Sequence, residues 1–159
     1  VLVRLDRFGF EKVFKVYQLD VTDGSFPTVV SPNPEVSAAL EMALEKARRV
    51  DAELVMATDP DADRVGIAVK DLNDNYVLLN GNQTASVLIY YLLTLWNKKE
   101  KLTGKEYIVK TIVTSELLAD IANKYEVEYY DVLTGFKWIA DIIRKNEGKK
   151  TFIAGGEES

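Results

Sequence analysis

Three aspartates and one arginine crowded into six residues, Asp59-Pro60-Asp61-Ala62-Asp63-Arg64, limit what this chain can become more than any other stretch. They follow the apolar run Leu54-Val55-Met56-Ala57 and precede Val65-Gly66-Ile67-Ala68-Val69, a pattern of strand, loop and strand. Carboxylates this close repel one another unless a cation neutralises them, and hard oxygen donors suit Mg²⁺ or Ca²⁺. On a straight strand, side chains at i, i+2 and i+4 share a face but sit roughly 6 to 7 Å apart. An ion held at about 2.1 Å cannot bridge that spacing. The loop therefore has to curl, and Pro60 helps by fixing its own φ and steering Asp59 out of the helical region. The bland alternative is an acidic turn that only solvates a strand connection, which leaves the self-repulsion uncompensated.

Two other sites built on such letters can be tested directly. An EF-hand starting at Asp59 needs Gly at its sixth position and Glu at its twelfth, where this chain has Arg64 and Lys70. An aspartyl-phosphate hydrolase would use Asp59 as nucleophile and Asp61 as acid, but its motif continues to Thr or Val where Asp63 stands. The first is excluded and the second weakened.

Composition removes further chemistry. The chain has no His and no Cys, so imidazole acid–base work, thiol nucleophiles, thiolate zinc sites and disulfides are excluded, leaving carboxylates, Lys and hydroxyls. A net charge of −5 without a long basic run argues against nucleic acid or an anionic membrane as partner. The longest apolar run, Val87 to Leu95, is too short to span a bilayer, and a cytoplasmic location is expected. At 159 residues and 47% hydrophobic, the chain can bury a core as one or two domains. It opens at Val1 inside a helical pattern (Val1, Leu2, Leu5, Phe8) and reads as a piece of something longer.

In order, the spacing predicts a helix remnant over 1–8 ended by Gly9, a strand over Val13 to Tyr17, and a loop from Asp20 to Pro27. A helix then starts with Asn33 as N-cap, Pro34 at its first position and Glu35 in its first turn. Val36, Ala39, Leu40, Ala43, Leu44, Ala47 and Val50 recur at helical spacing until near Asp51. The strands around the acidic loop follow, then a turn at Asn73-Asp74-Asn75 and a strand from Tyr76 to Leu79. Asn80-Gly81-Asn82-Gln83 is read as punctuation and a domain boundary, dividing the chain into 1–79 and 80–159.

The second half alternates: a helix (Val87, Leu88, Tyr91, Leu92, Leu95), a solvated Lys98–Lys105 connection, and a strand over Tyr107 to Val113. A helix follows Thr114 or Ser115, then come a strand near Val127 to Leu133, a helix after Gly135, and a strand from Thr151 to Ala154. The expectation is an α/β fold: two layered α/β domains with mixed sheets and crossover helices. Ligands gather at the C-terminal ends of strands in such sheets, where Asp59, Thr134-Gly135 and Gly155-Gly156-Glu157 fall.

Four stretches together resemble the α-D-phosphohexomutase superfamily, the phosphoglucomutases and phosphomannomutases. They are Phe26-Pro27-Thr28 with Ser31-Pro32-Asn33-Pro34-Glu35; Asp59 to Arg64; Thr134-Gly135-Phe136-Lys137; and Gly156-Glu157-Glu158-Ser159. The Asp-Pro-Asp-Ala-Asp-Arg form is more like the phosphoglucomutase and phosphopentomutase branch. The resemblance implies most of the second domain, carrying the metal loop, and essentially the third, with a sugar loop at its end. The first and fourth domains of the same polypeptide would be missing.

By that likeness Asp59, Asp61 and Asp63 hold Mg²⁺, Arg64 supports a phosphate, and Glu157, Ser159, Thr134, Gly135 and Lys137 meet the sugar. The implied activity interconverts sugar 1-phosphate and 6-phosphate, with glucose the expected sugar. It runs through a phosphoserine on the absent first domain, with a sugar 1,6-bisphosphate as activator and intermediate. Nothing here matches that serine's loop, Ser31 being ascribed to helix capping, so this chain alone is expected to be inactive. A solvated lysine remains as open a reading of Lys137 as a ligand, a surface ion pair remains open for Arg64, and a frayed terminus for Glu157 and Ser159.

Overall fold

The computed structural model describes residues 9–21 and 23–158. The helix expected over 1–8 lies outside the described residues. The chain divides into two compact units, Val1–Leu78 and Leu79–Ser159.

In the first unit, helix α1 (Ser37–Val50) is built of strong helix formers and buries Leu40, Ala43 and Ala47 along one stripe. It ends where Asp51 turns into the left-handed region, with the Asp51 and Ala52 N–H groups both donating to the Ala47 carbonyl. The start differs from expectation. Asn33 caps only a preceding turn, its Oδ1 accepting from the Glu35 N–H at 3.0 Å, and the helix begins at Ser37. Pro34 is fully buried instead of standing at the first helical position, because it is used as a packing group.

Strands β1 (Leu54–Thr58) and β2 (Val65–Lys70) pair antiparallel, from Leu54 opposite Val69 to Thr58 opposite Val65. The acidic stretch is thus the loop of a hairpin. Strand β3 (Tyr76–Leu79) completes the sheet on the far side of β2. Val55 and Ala68, directly opposite each other, pack against Ala43 and Ala47 of α1, and these small side chains let helix and sheet approach closely. The strand expected over Val13 to Tyr17 does not form: the chain is irregular up to a single 3₁₀ turn at Tyr17–Leu19. Phe10 and Phe14 are half exposed, Val16 packs against the core, and among the described residues no strand pairs with this segment.

In the second unit, helix α2 (Gly81–Lys98) opens on a capping box in which Asn80 Oδ1 accepts from the Gln83 N–H and Gln83 Oε1 from the Asn80 N–H. What looks like punctuation in the sequence is a helix start. Strand β4 (Glu106–Thr111) is buried along its whole length between parallel neighbours β5 (Glu128–Val132) and β6 (Thr151–Gly156). Alternation along β4 serves two layers. Ile108 faces Ile89 and Leu93 of α2 and Leu118, Ile121 and Ala122 of α3 (Leu117–Lys124). Tyr107 and Val109 face Ile139 of α4 (Phe136–Asn146). The Lys98–Lys105 connection is not merely solvated: Thr103, Gly104 and Lys105 donate backbone N–H groups to the buried Glu106 carboxylate. Burial pushes that carboxyl up, but these donors and the Thr103 hydroxyl hold it below the ordinary range. No helix among the described residues is long and apolar enough to cross a membrane.

Pro34 reaches the sheet because β2 carries Gly66. A Cβ built there would lie 2.0 Å from the Pro34 carbonyl oxygen. Gly66→Ala should therefore cost about 1–3 kcal/mol or more in urea unfolding of the first unit. Gly24→Ala, whose Cβ would meet nothing within 4 Å, should be near neutral; equal costs would show that the close approach is not what Gly66 serves.

Candidate functional site

The hairpin loop does curl. The Ala62 N–H donates to the Asp59 carbonyl at 3.1 Å, and Ala62 takes a left-handed φ of 59°. Oxygens from Asp59, Asp61 and Asp63 consequently lie within 4.8 Å of one another, far closer than a strand allows. Two ligands at right angles around Mg²⁺ stand about 3 Å apart, so a small inward motion of the exposed Asp61 and Asp63 would make a coordinating face. Three carboxylates with no softer donor are the set a hard divalent cation takes.

Asp59 is the anchored member, its side chain 9% exposed. Its Oδ1 accepts from the Arg64 N–H at 3.1 Å, and its Oδ2 lies 3.8 Å from Arg64 Nε. Burial disfavours its charge, but the Arg64 N–H and hydrogen bonding with Asp63 and Asp61 outweigh it and hold the carboxyl below the ordinary value. Asp63 is pushed the other way, by its hydrogen bond to Asp59, by desolvation and by the negative charge of its neighbours. Hydrogen bonding and charge within the loop thus push two of its carboxyls in opposite directions.

These residues line an open cleft of about 390 Å³ whose other wall is Ser31, Pro32 and Asn33. Two of the four motifs, nearly 30 positions apart, thus meet in one place. The Ser31–Asn33 segment, which caps a turn and not the helix itself, forms one wall of the cleft.

In the second unit the C-terminal ends of the parallel strands converge. The Glu157 carboxylate accepts from the Gly135 N–H at 2.6 Å, which ties the loop after β5 to the end of β6. Gly135 sits at φ 118°, ψ 127°, a conformation that only glycine adopts readily. Thr134 is exposed, and Lys137, one turn into α4, lies 5.1 Å over the Trp138 ring. Ser159 lies outside the described residues.

Sequence reasoning passed over Lys110. It is wholly buried in β4, its Nζ donating to Glu116 Oε1 at 2.8 Å, Asp131 Oδ2 at 3.2 Å, and the Thr114 and Thr111 carbonyls at 3.3 and 3.4 Å. Burial pulls its pKa down, but the carboxylates of Glu116 and Asp131 outweigh that and raise it. Thr114 Oγ1 meets Thr111 Oγ1 at 2.9 Å and accepts from the Glu158 N–H at 3.2 Å, linking the lysine to the β6 terminus. The available signal was a lysine inside the apolar run Tyr107 to Val113.

Comparison with known proteins follows the same division. The pattern of phosphoglucomutase/phosphomannomutase alpha/beta/alpha domain II matches residues 3–73, and that of domain III matches residues 80–159. A phosphomannomutase from Mycoplasmoides pirum is 35% identical over 155 residues, covering 98% of this chain and 28% of that protein. A phosphoglucomutase from Staphylococcus aureus (strain USA300) is 39% identical over 137 residues, covering 86% and 24%. A solved structure from Thermus thermophilus, assigned as a phosphomannomutase, superposes with a TM-score of 0.59 at 26% identity, over 82% of this chain and 26% of that one. The chain therefore spans about a quarter of the length of these relatives.

Lys110→Ala leaves a cavity and two carboxylates without their cation, and should cost the second unit about 2–4 kcal/mol at neutral pH. Because the folded pKa of Lys110 is raised, its charge contributes fully below the unfolded value of about 10.4. The contribution is lost as pH rises through the folded value. Denaturant titrations from about pH 9 to 12 should show the wild type approaching the variant at the alkaline end; a gap that stays constant to about pH 12 would refute the ionic part.

Proposed function

Because the chain belongs to the phosphoglucomutase/phosphomannomutase family, we propose that it supplies the metal loop and the sugar-reading loop of a phosphohexomutase. That enzyme moves a phosphoryl group between O1 and O6 of a hexose phosphate, glucose being the expected sugar. The observation that carries this is the Asp59–Asp61–Asp63 cluster, three carboxylate oxygens within 4.8 Å at the mouth of a cleft shared with Arg64. When bound there, Mg²⁺ supplies Lewis acidity to a phosphoryl group in transfer.

Each residue then has a task. Asp59, fixed by the Arg64 N–H, orients the coordinating face, while the exposed Asp61 and Asp63 are free to close on the ion. Arg64, 44% exposed at its side chain, turns its guanidinium toward the phosphate. Glu157, with Oε2 held by the Gly135 N–H, keeps Oε1 for a sugar hydroxyl. Thr134 and Ser159 add hydroxyls, Gly135 provides the turn that brings the loops together, and Lys137 offers a cation beside the phosphate or the ring. A carboxylate and hydroxyls bind ring hydroxyls at either end of a hexose alike, which suits an enzyme that handles both phosphate positions. The phosphoserine and the site for the second phosphate belong to domains beyond these residues, with a sugar 1,6-bisphosphate as the intermediate that turns over in the site. A cytoplasmic location fits such a reaction.

The aspartyl-phosphate hydrolase alternative draws less support, because Asp59, its nucleophile, is nearly buried and hydrogen-bonded to Arg64. The deciding experiment is a mutase assay on the complete polypeptide with Mg²⁺, a trace of sugar bisphosphate, and glucose, mannose and ribose 1-phosphates in competition. Conversion of glucose 1-phosphate to the 6-phosphate is expected. Asp61→Asn should lower it by roughly 100-fold or more, since even outer-shell partners of a metal are worth about 10–100-fold. Release of free phosphate without isomerisation would sink the mutase assignment and promote the hydrolase. The 159-residue chain alone should show no turnover.

A further inference from the structure

The acidic cleft has a second wall with the opposite hydrogen-bonding character. Asn33 spends its Oδ1 on the Glu35 N–H at 3.0 Å, which leaves the two hydrogens of Nδ2 as its remaining capacity. Ser31 Oγ accepts from the Asn33 N–H at 3.5 Å, a long contact that leaves its hydroxyl proton uncommitted. Both side chains line the cleft with Asp59, Asp61, Asp63 and Arg64, so this wall presents donors where the other presents acceptors. Neither residue type serves a cation through its N–H or O–H; those groups suit an anion.

The wall is also held in place. Pro34, the next residue, is fully buried, and its carbonyl oxygen would lie 2.0 Å from a Cβ at Gly66. Gly66 stands two residues after Arg64 at the start of β2. The close contact therefore sets the distance from the Ser31–Asn33 turn to the acidic loop through backbone rather than through long side chains.

Charge says what such a wall is for. Three carboxylates, one guanidinium and one divalent cation sum to zero, so net charge alone does not draw a phosphate dianion into the cleft. Its hold depends on direct coordination and on hydrogen-bond donors. At about 390 Å³ the cleft lies within the range of small-ligand sites, with room for a phosphate beside the ion.

We propose that Ser31 and Asn33 are phosphate-positioning donors, holding oxygens of the phosphate monoester that the cation of the Asp59–Asp61–Asp63 cluster binds. The proposal rests on the metal site proposed above and adds the wall that orients the phosphate against it.

The test measures binding by the 159-residue chain, with Mn²⁺ as a paramagnetic substitute for Mg²⁺ and O-phosphoserine as the phosphate monoester. In the wild type the two ligands should tighten each other's binding. Asn33→Asp keeps the oxygen that accepts from Glu35 but replaces the donor with a carboxylate, and Ser31→Ala removes the hydroxyl without touching that turn. With both substitutions, Mn²⁺ alone should bind as tightly or more tightly, because a negative group has been added. The mutual tightening should fall at least about tenfold, as expected for hydrogen bonds to a charged group. Ser31→Ala alone should show part of that loss.

Equal loss of Mn²⁺ affinity and of coupling would mean that the turn only supports the loop, and unchanged coupling would mean that the wall does not touch phosphate. Either result overturns the proposal while leaving the metal site standing. Absence of Mn²⁺ binding by the wild type, or binding untouched by Asp61→Asn, overturns the metal site and the proposal with it.

Discussion

Mutual repulsion among three carboxylates in one hairpin loop is the constraint on which the first unit's chemistry depends. The loop brings oxygens of Asp59, Asp61 and Asp63 within 4.8 Å, and holds the Asp59 carboxyl below its ordinary range and the Asp63 carboxyl above it. Three hard carboxylate donors this close are the kind of set whose repulsion a divalent ion would offset. The antiparallel pairing of β1 and β2 is what forces the crowding, because the hairpin closes at Thr58 opposite Val65 and leaves only the six acidic-loop residues to reverse the chain.

A second constraint acts through the backbone. Gly66 lets Pro34 dock on β2, and Pro34 carries the Ser31–Asn33 turn to the rim of the same cleft. Pro34 is fully buried with its carbonyl close against the Gly66 backbone, so packing fixes the separation of the two walls while the exposed Asp61 and Asp63 side chains have room to close.

The second unit solves a different problem. Its central strand is buried on both faces, yet Lys110 lies in it with its charge intact, sustained by Glu116, Asp131 and two carbonyls. A buried cation of this kind is costly to make and costly to break, which favours one arrangement of the β4, β5 and β6 ends. Thr114 then meets Glu158, and Gly135 meets Glu157, so the ends of all three strands are tied by polar contacts at the edge where ligands of parallel sheets bind.

The sequence by itself determined the alternation of strands and helices, the α/β class and the crowding of three carboxylates in one loop. Those follow from local periodicity and from charge that no fold can hide. It misjudged the strand at Val13 to Tyr17 and the capping role of Asn33, because a strand needs a hydrogen-bonded neighbour and a proline can serve packing as well as a helix start. Only the tertiary structure brought Ser31 and Asn33 opposite the aspartates, joined Gly135 to Glu157, and buried Lys110 among carboxylates. The cleft, the Gly135–Glu157 bond and the Lys110–Asp131 pair each join residues more than 15 positions apart, which no pattern along the chain specifies; at the cleft the approach is set by a missing side chain, at Gly66.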